Sequence, residues 1–218
     1  MKKYIYLILS ALLILTLCVS CSGKKQERTL SGKTYTGPSW IVDQSKTYYA
    51  EIDTTEGMMK MFLLDDTAPF AVNSFIFLAS EGFFDNMYFF RTMDEFMIQT
   101  GDPNHLGTGD AGYRFESELP APYIYEPGIV AMANSGNNGS NGSQWFICTG
   151  EKSTALNYNP IYVEIGYIYE GLDVAKKIAA KKVTENPLTG ELSYPTDPTY
   201  INSIQIYVIN ENISLTGK

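Results

Sequence analysis

Between Thr47 and Ile209 the apolar residues of this chain fall in short runs, broken repeatedly by glycine, proline, asparagine and aspartate. Short alternating runs can bury one face only by pairing side by side, so a chain made mostly of them is driven toward a closed antiparallel barrel. Residues 48–53 and 57–64 read as two strands joined by the turn Thr54-Thr55-Glu56-Gly57. Asp65, Asp66 and Thr67 are cap candidates for a helix with Pro69 in its first turn, in which Val72, Phe75, Ile76 and Ala79 recur at helical spacing before Gly82 ends it. Strands are expected near 87–93, 96–100, 112–115, 128–133, 143–149 and 161–167, and a final alternating strand over 201–209. A second helix is expected over 171–183, with Leu172, Ala175, Ile178 and Ala179 inward and Lys176, Lys177, Lys181 and Lys182 on a solvated face. The two helices would plug the open ends of the barrel.

The 218 residues suffice for one domain with extensions, and hydrophobic and aromatic contents of 44% and 13% fit a packed core. A net charge of -8 argues against a nucleic-acid partner. At the amino end Lys2 and Lys3 precede an apolar run over 5–17, and small residues lead to Cys21, the layout of a secretory signal. Val19-Ser20-Cys21 resembles the end of a bacterial lipobox, although Cys18 stands where leucine is usual. Processing there would remove residues 1–20 as a signal peptide and lipidate Cys21, leaving the domain outside the cytoplasm and tethered to a lipid bilayer. The other reading is an uncleaved anchor, since residues 4–23 carry no charge and could just span a bilayer. Residues 21–46 then read as the lipidated cysteine and a flexible tether, 47–210 as the domain, on which Trp40-Ile41-Val42 of the tether could dock, and 211–218 as a C-terminal tail. With Cys21 lipidated, Cys148 is the one remaining thiol, so no internal disulfide is available, and its apolar strand makes it a packed residue. His105 is the only histidine and reads as a solvent-facing loop residue. One histidine and one thiol make no zinc site. The glycines of 101–112 lack the Gly-Lys-Ser/Thr end of a phosphate loop. Neither a metal nor a cofactor is expected.

Residues 88–102, YFFRTMDEFMIQTGD, place Arg91 beside Tyr88, Phe89 and Phe90. Arginine is the side chain least able to lose its charge, so this setting is costly unless the residue faces a cleft. Residues 132–148, MANSGNNGSNGSQWFIC, add Asn134, Gln144 and Phe146. On strands, Met97 and Gln99 share one face, as do Gln144 and Phe146, while Trp145 and Ile147 point the other way. The resulting face mixes apolar walls with amides, which suits a proline ring and its flanking peptide.

Together the two segments resemble the active site of the cyclophilins, a family of peptidyl-prolyl cis-trans isomerases. The family's Arg-x4-Phe-Met-x-Gln stands here as Arg91, Phe96, Met97 and Gln99, and its Met-Ala-Asn-Ala as Met132-Ala133-Asn134-Ser135. The resemblance covers roughly residues 47–209. It implies a mainly β fold, a closed eight-stranded antiparallel cyclophilin-like barrel capped by two α-helices. It also implies a catalytic pair, in which Arg91 stabilises the twisted amide and Gln99 supports the guanidinium and the bound carbonyl. Phe96, Met97, Phe146 and Leu156 would line the proline pocket. Asn134 would hydrogen-bond the substrate backbone, with Ala133, Ser135 and Gln144 beside it. Gly107 would let its loop approach the peptide, and Tyr162 takes the place where many members carry histidine. Ala155 stands where some cyclophilins have a tryptophan that contributes to cyclosporin binding. The loops after Ser135 and between Leu156 and Tyr162 are longer than usual, and Phe90 replaces the histidine that commonly precedes the arginine.

The barrier to X-Pro rotation, roughly 18–20 kcal/mol, arises from the partial double bond of the amide. A catalyst therefore needs neither a covalent intermediate nor a proton shuttle; it must bind the twisted amide better than either planar form. The expected activity is isomerisation of X-Pro bonds in exported proteins, with proline-containing unfolded polypeptides as partners, a lipid bilayer engaged through Cys21, and a monomeric state. The alternatives are a proline-peptide binding module with little turnover, and a lipoprotein of structural or adhesive role.

Overall fold

Every second residue of the first strand is buried, as its alternating sequence requires, with Tyr48, Ala50, Ile52 and Thr54 turned inward. The structure is a computed structural model that describes residues 28–209; the expected signal segment 1–20, Cys21 and the tail 211–218 lie outside the described residues. The elements are β1 (Thr47–Thr54), β2 (Gly57–Leu63), α1 (Pro69–Ser80), β3 (Arg91–Met93), β4 (Met97–Thr100), β5 (Ile129–Met132), β6 (Trp145–Cys148), a 3-10 helix (Glu151–Tyr158), β7 (Glu164–Glu170), α2 (Leu172–Ala179), β8 (Val183–Glu185), β9 (Leu192–Pro195) and β10 (Ile201–Ile209). Among the described residues no helix is long and apolar enough to cross a membrane.

Eight strands form one antiparallel sheet in the order β10-β1-β2-β7-β5-β6-β4-β3, and β8 and β9 form a separate hairpin. This corrects the closed barrel expected from the sequence: the sheet is an open half-barrel whose end strands β10 and β3 do not pair. The reason is local. β3 is only three residues long, and the chain leading into it carries Phe83, Phe84, Phe89 and Phe90 into the interior as irregular structure. Only a single bridge, Tyr88 with Tyr200, and backbone bonds such as Ile201 N–H to the Met87 carbonyl at 2.7 Å cross the seam.

Several boundaries shift. The strand expected at 112–115 is one isolated bridge between Phe115 and Asn141, and α2 stops at Ala179. Lys181 is not solvated; it is largely buried, pairing with Glu56 and, at 3.1 Å, with Asp197. The 3-10 helix makes a third helical element. The first helix starts at Pro69 behind Ala68, and none of the expected caps serves it. Its free N–H groups go instead to Glu118, whose carboxylate accepts from Phe70 at 3.0 Å and Ala71 at 2.8 Å, an anion placed at the positive end of the helix dipole.

α1 is buried along nearly its whole length from Ala71 to Ala79. One side packs into the barrel mouth, where Phe75 meets Trp145 edge to face at 5.7 Å. The other side is covered by residues 28–46, which correct the flexible tether expected there. This strap seats Tyr35 against Phe77 at 5.0 Å and buries Val42 in the core. Asn73, fully buried in the middle of α1, clasps it: its Oδ1 accepts from the Ile41 and Val42 N–H groups at 2.7 and 3.1 Å, and its Nδ2 donates to the Ser39 carbonyl at 3.1 Å. A buried amide must be satisfied, and the strap is what satisfies it. Asn73→Ala removes all three bonds. It is expected to cost about 2–4 kcal/mol in denaturant unfolding and to raise hydrogen exchange at the Ile41 and Val42 amides.

Candidate active site

Alternation sorts β4, β5 and β6 into two faces. Ile98, Val130, Met132, Trp145 and Ile147 join the barrel core, while Met97, Ala131, Phe146 and Cys148 form a second apolar cluster on the outside. Cross-strand register then lines up Arg91 with Gln99, Gln99 with Phe146 and Phe146 with Ala131. One row of the outer face thus carries a cation, an amide, an aromatic ring and a small apolar residue.

A pocket of about 140 Å³ opens on this row, walled by Phe96, Met97, Phe146, Leu156 and Tyr162, with Arg91, Gln99, Ala133 and Asn134 on its polar side. A cavity of roughly 150 Å³ admits one six-membered ring, so this is space for a single small ring. Tyr162 stands edge-on to Phe146 at 5.3 Å. The structure therefore brings Tyr162 to the pocket despite the longer loop before it. What holds it is Tyr125, a residue the sequence reading passed over. The Tyr125 hydroxyl donates to the Tyr162 carbonyl at 2.6 Å and accepts from the Tyr162 N–H at 3.1 Å. The Asn157 side chain brackets the Tyr125 backbone, accepting from its N–H at 2.8 Å and donating to its carbonyl at 3.0 Å, which ties the 3-10 helix bearing Leu156 to the same point.

The Arg91 guanidinium is held on two sides. Nε and Nη2 donate to the two carboxylate oxygens of Glu191 at 2.6 and 2.7 Å, and Nη1 donates to Gln99 Oε1 at 3.3 Å. Gln99 passes the chain on, its Nε2 donating to Gln144 Oε1 at 2.8 Å, and Gln144 Nε2 donates to the Gly109 carbonyl at 2.8 Å. The charge-assisted bonds from Arg91 hold the Glu191 carboxyl below the usual carboxylate range, against the opposing effect of its partial burial. Glu191 was not among the expected site residues; an acid after Thr-Gly carries no signal of its own.

Gly107, Ser135 and Gln144 line an adjoining pocket of about 170 Å³ rather than the first, and Gln99, Ala133 and Asn134 border both. Asn134 differs from the expectation in one respect. Its side chain is engaged within the protein, Nδ2 donating to the Ile161 carbonyl at 2.9 Å and Oδ1 accepting from the Gly136 N–H at 2.9 Å, so what it offers a peptide is its backbone. Gly107 has φ of +88°, with only Phe90 near a would-be Cβ, at 3.7 Å. The loop around it is built on Asp102, fully buried, whose carboxylate accepts the N–H groups of Asn104, Leu106, Gly107, Thr108 and Gly109 at 2.5–3.0 Å. The turn into Asp102 needs Gly101 (φ +86°), since a Cβ there would strike the Ser143 carbonyl.

Two other residues lie apart from these pockets or take no part in the chemistry. Cys148 is fully buried, and desolvation pushes its thiol up to about 12, so it is no nucleophile. His105 is not solvent-facing as expected; its ring stacks on Tyr88 at 4.0 Å, and burial lowers its pKa.

A half-open β-barrel that presents a ring-sized apolar pocket, a fixed guanidinium and a lip of amides defines a peptide-binding class of fold, and the comparisons say which. The family model described as cyclophilin type peptidyl-prolyl cis-trans isomerase/CLD matches residues 49–206. Peptidyl-prolyl cis-trans isomerase A of Mycobacterium tuberculosis is 32% identical over 176 residues, covering 73% of this chain and 92% of its own length. A Helicobacter pylori peptidyl-prolyl isomerase is 34% identical over 143 residues, 65% of this chain and 86% of its own. The chain spans only about a quarter of the fungal relatives it matches, 22% of one from Rhizopus delemar that is 39% identical and 25% of one from Schizosaccharomyces pombe that is 37% identical. The crystal structure of a Cryptosporidium parvum cyclophilin type isomerase superposes with a TM-score of 0.65 at 27% identity, over 74% of this chain and 98% of that one. The structure of the same parasite protein in the presence of the dipeptide Ala-Pro gives 0.64 at 27% identity. This chain belongs to the cyclophilin-type peptidyl-prolyl cis-trans isomerase family.

Asp102→Ala removes the acceptor of five backbone donors, among them Gly107 and Gly109 of the adjoining pocket, and leaves the walls of the ring-sized pocket in place. It is expected to lower stability by at least about 3 kcal/mol in thermal or denaturant unfolding, with loss of protection at the Gly107 and Thr108 amides.

Proposed function

We propose that this cyclophilin-type isomerase accelerates cis-trans rotation about X-Pro bonds in exported polypeptides during their folding, with Arg91 stabilising the twisted amide. The observation that carries this reading is the placement of the Arg91 guanidinium at the lip of a ring-sized apolar pocket. With the proline ring against Phe96, Met97, Phe146 and Leu156, the prolyl nitrogen lies on the polar side, beside Arg91. As the amide twists, resonance is lost and the nitrogen gains a lone pair. A donor that is charged at every accessible pH and already oriented stabilises that lone pair more than it stabilises either planar form. The interaction is strengthened because the pocket walls exclude water. Gln99 keeps Nη1 in place, the Asn134 backbone offers the flanking peptide a strand-like partner, and Gln144, Ser135 and Gly107 shape the adjoining pocket where residues before the proline would lie. The reaction makes no covalent bond and moves no proton, so the buried Cys148 thiol and His105 have no part in it.

The test is NMR exchange between cis and trans forms of a short X-Pro peptide. The wild-type protein is expected to accelerate exchange, and Arg91→Ala to lower kcat/KM roughly a hundredfold or more with little change in Tm. Unchanged exchange in the variant would overturn the role of Arg91. Export and anchoring rest on the sequence of residues 1–21, read as a signal and a lipidated Cys21, with the tether leading to the strap and the domain. Expressed in a bacterial host with lipoprotein processing, the wild type is expected to take up labelled fatty acid and sediment with membranes. Cys21→Ala is expected to lose the label, and equal labelling of both would exclude Cys21 as the lipid site.

A further inference from the structure

We infer that Glu191, carried on the β8–β9 hairpin, is a positioning residue for the isomerase reaction, acting by holding the guanidinium of Arg91 side-on. The inference rests on the reading of Arg91 as the donor to the prolyl nitrogen and adds to it a second element of the fold.

An arginine on a three-residue strand at the edge of a sheet has little to restrain its long side chain. Here the side-on edge of the guanidinium, Nε and Nη2, is closed by the two Glu191 oxygens, and Nη1 is met by Gln99 on the other side. A bidentate carboxylate fixes the plane of a guanidinium as well as its position, which a single hydrogen bond does not. Five N–H groups are available on the side chain, and these partners engage three of them. A fourth, the other hydrogen of Nη1, meets only the Met97 sulfur at 3.7 Å, a weak acceptor. That weakly held hydrogen and the one remaining on Nη2 are what the group can offer a substrate in the ring-sized pocket that Arg91 lines.

The hairpin that delivers Glu191 is itself firmly built. Its turn is organised by Asn186, which is buried and whose Oδ1 accepts the N–H groups of Leu188 and Thr189 at 2.9 and 3.2 Å. The Asn186 N–H donates to the Glu191 carbonyl and its carbonyl accepts from the Gly190 N–H, both at 2.8 Å, so the backbone beneath the carboxylate is fixed. β9 then docks beside β3, where the Thr92 hydroxyl donates to the Ser193 carbonyl at 3.4 Å and the Tyr88 and Tyr194 hydroxyls share a hydrogen bond at 2.5 Å. The hairpin therefore covers the free edge of the sheet and, from that edge, orients the cation. The carboxylate also lowers the net charge near the pocket. The geometry favours orientation over inhibition, because Glu191 lines neither pocket and engages only the edge of the guanidinium that lies away from the amide chain.

The test is a double-mutant cycle on the full-length processed protein, read by NMR line shapes that separate peptide affinity from catalysed exchange. Glu191→Ala is expected to lower the catalysed exchange rate roughly tenfold while leaving peptide affinity and Tm near wild type. Glu191→Gln, which keeps one acceptor and the side-chain volume, is expected to fall between the two. In the Arg91→Ala background, Glu191→Ala is expected to have no further effect. Exchange at or above the wild-type rate in either Glu191 variant would overturn the inference. So would an equal loss in the presence and absence of Arg91. If Arg91→Ala itself leaves exchange unchanged, the failure lies in the proposed role of Arg91; if Arg91→Ala abolishes exchange while Glu191→Ala does not alter it, the failure is that of Glu191 alone. A fall in Tm with loss of affinity in both Glu191 variants would assign the residue to hairpin stability and also overturn the positioning role.

Discussion

The register that sets Arg91 opposite Gln99, and Gln99 opposite Phe146, governs everything on the outer face of this sheet. Side chains alternate with a period of two, so a slip of one residue in β4 would turn Gln99 and Met97 into the barrel and expose Ile98. The inner face forbids that slip, because Ile98, Ile147 and Trp145 are fully buried among the rings of Phe75, Phe84 and Phe89. The packing of the core and the geometry of the pocket are one constraint seen from two sides of the same strands. An outer cluster of Met97, Ala131, Phe146 and Cys148 extends that logic, making an apolar floor outside the barrel against which Phe96, Leu156 and Tyr162 pack.

How much of this was legible from the residues depended on whether the information was local. The alternation of 97–100 and 145–148 told which residues face outward, and the spacing of Arg91, Phe96, Met97 and Gln99 identified a set that the structure gathers into one pocket. Tyr162 reaches that pocket through Tyr125, a partner 37 residues away, and no pattern in either segment announces it. Glu191 is 100 residues from Arg91, on a hairpin whose Asn-Pro-Leu-Thr-Gly turn reads as plain loop. Glu118 caps a helix by accepting from Phe70, 48 residues earlier. Asp102 stands in a glycine-rich segment with nothing local to mark it, yet it is the acceptor on which a whole loop is threaded. In each case a polar group found its partner far along the chain, where propensity and periodicity carry no information. The closed barrel failed for a different reason: a strand count cannot say whether the last pair of edges is long enough to meet.

Charge is distributed in a way that suits a peptide site in an acidic protein. The chain carries 24 acidic and 16 basic residues, and the cation placed at the pocket is met by a carboxylate, an amide and a thioether rather than by bulk solvent. The remaining ion pairs lie elsewhere, such as those of Lys181 with Glu56 and Asp197, which fasten the end of α2 to the turn after β1 and to the loop before β10. Polar networks of this kind are costly when half-satisfied, and the Arg91 chain is satisfied at every link from Glu191 to the Gly109 carbonyl.

The strap across α1 has a mechanical consequence. Tension applied at the amino end of the domain does not reach β1 directly, because the chain first passes under the Asn73 clasp and the Tyr35–Phe77 contact. Those contacts lie along the chain and would open one after another, like stitches. β1, by contrast, is bonded along both edges, to β2 and to β10, so pulling it lengthwise must shear two ladders at once. The fold thus places a sequence of small yielding elements ahead of a strong one. A protein held by its amino end can lengthen by the span of the strap before the sheet that carries its pocket bears the load.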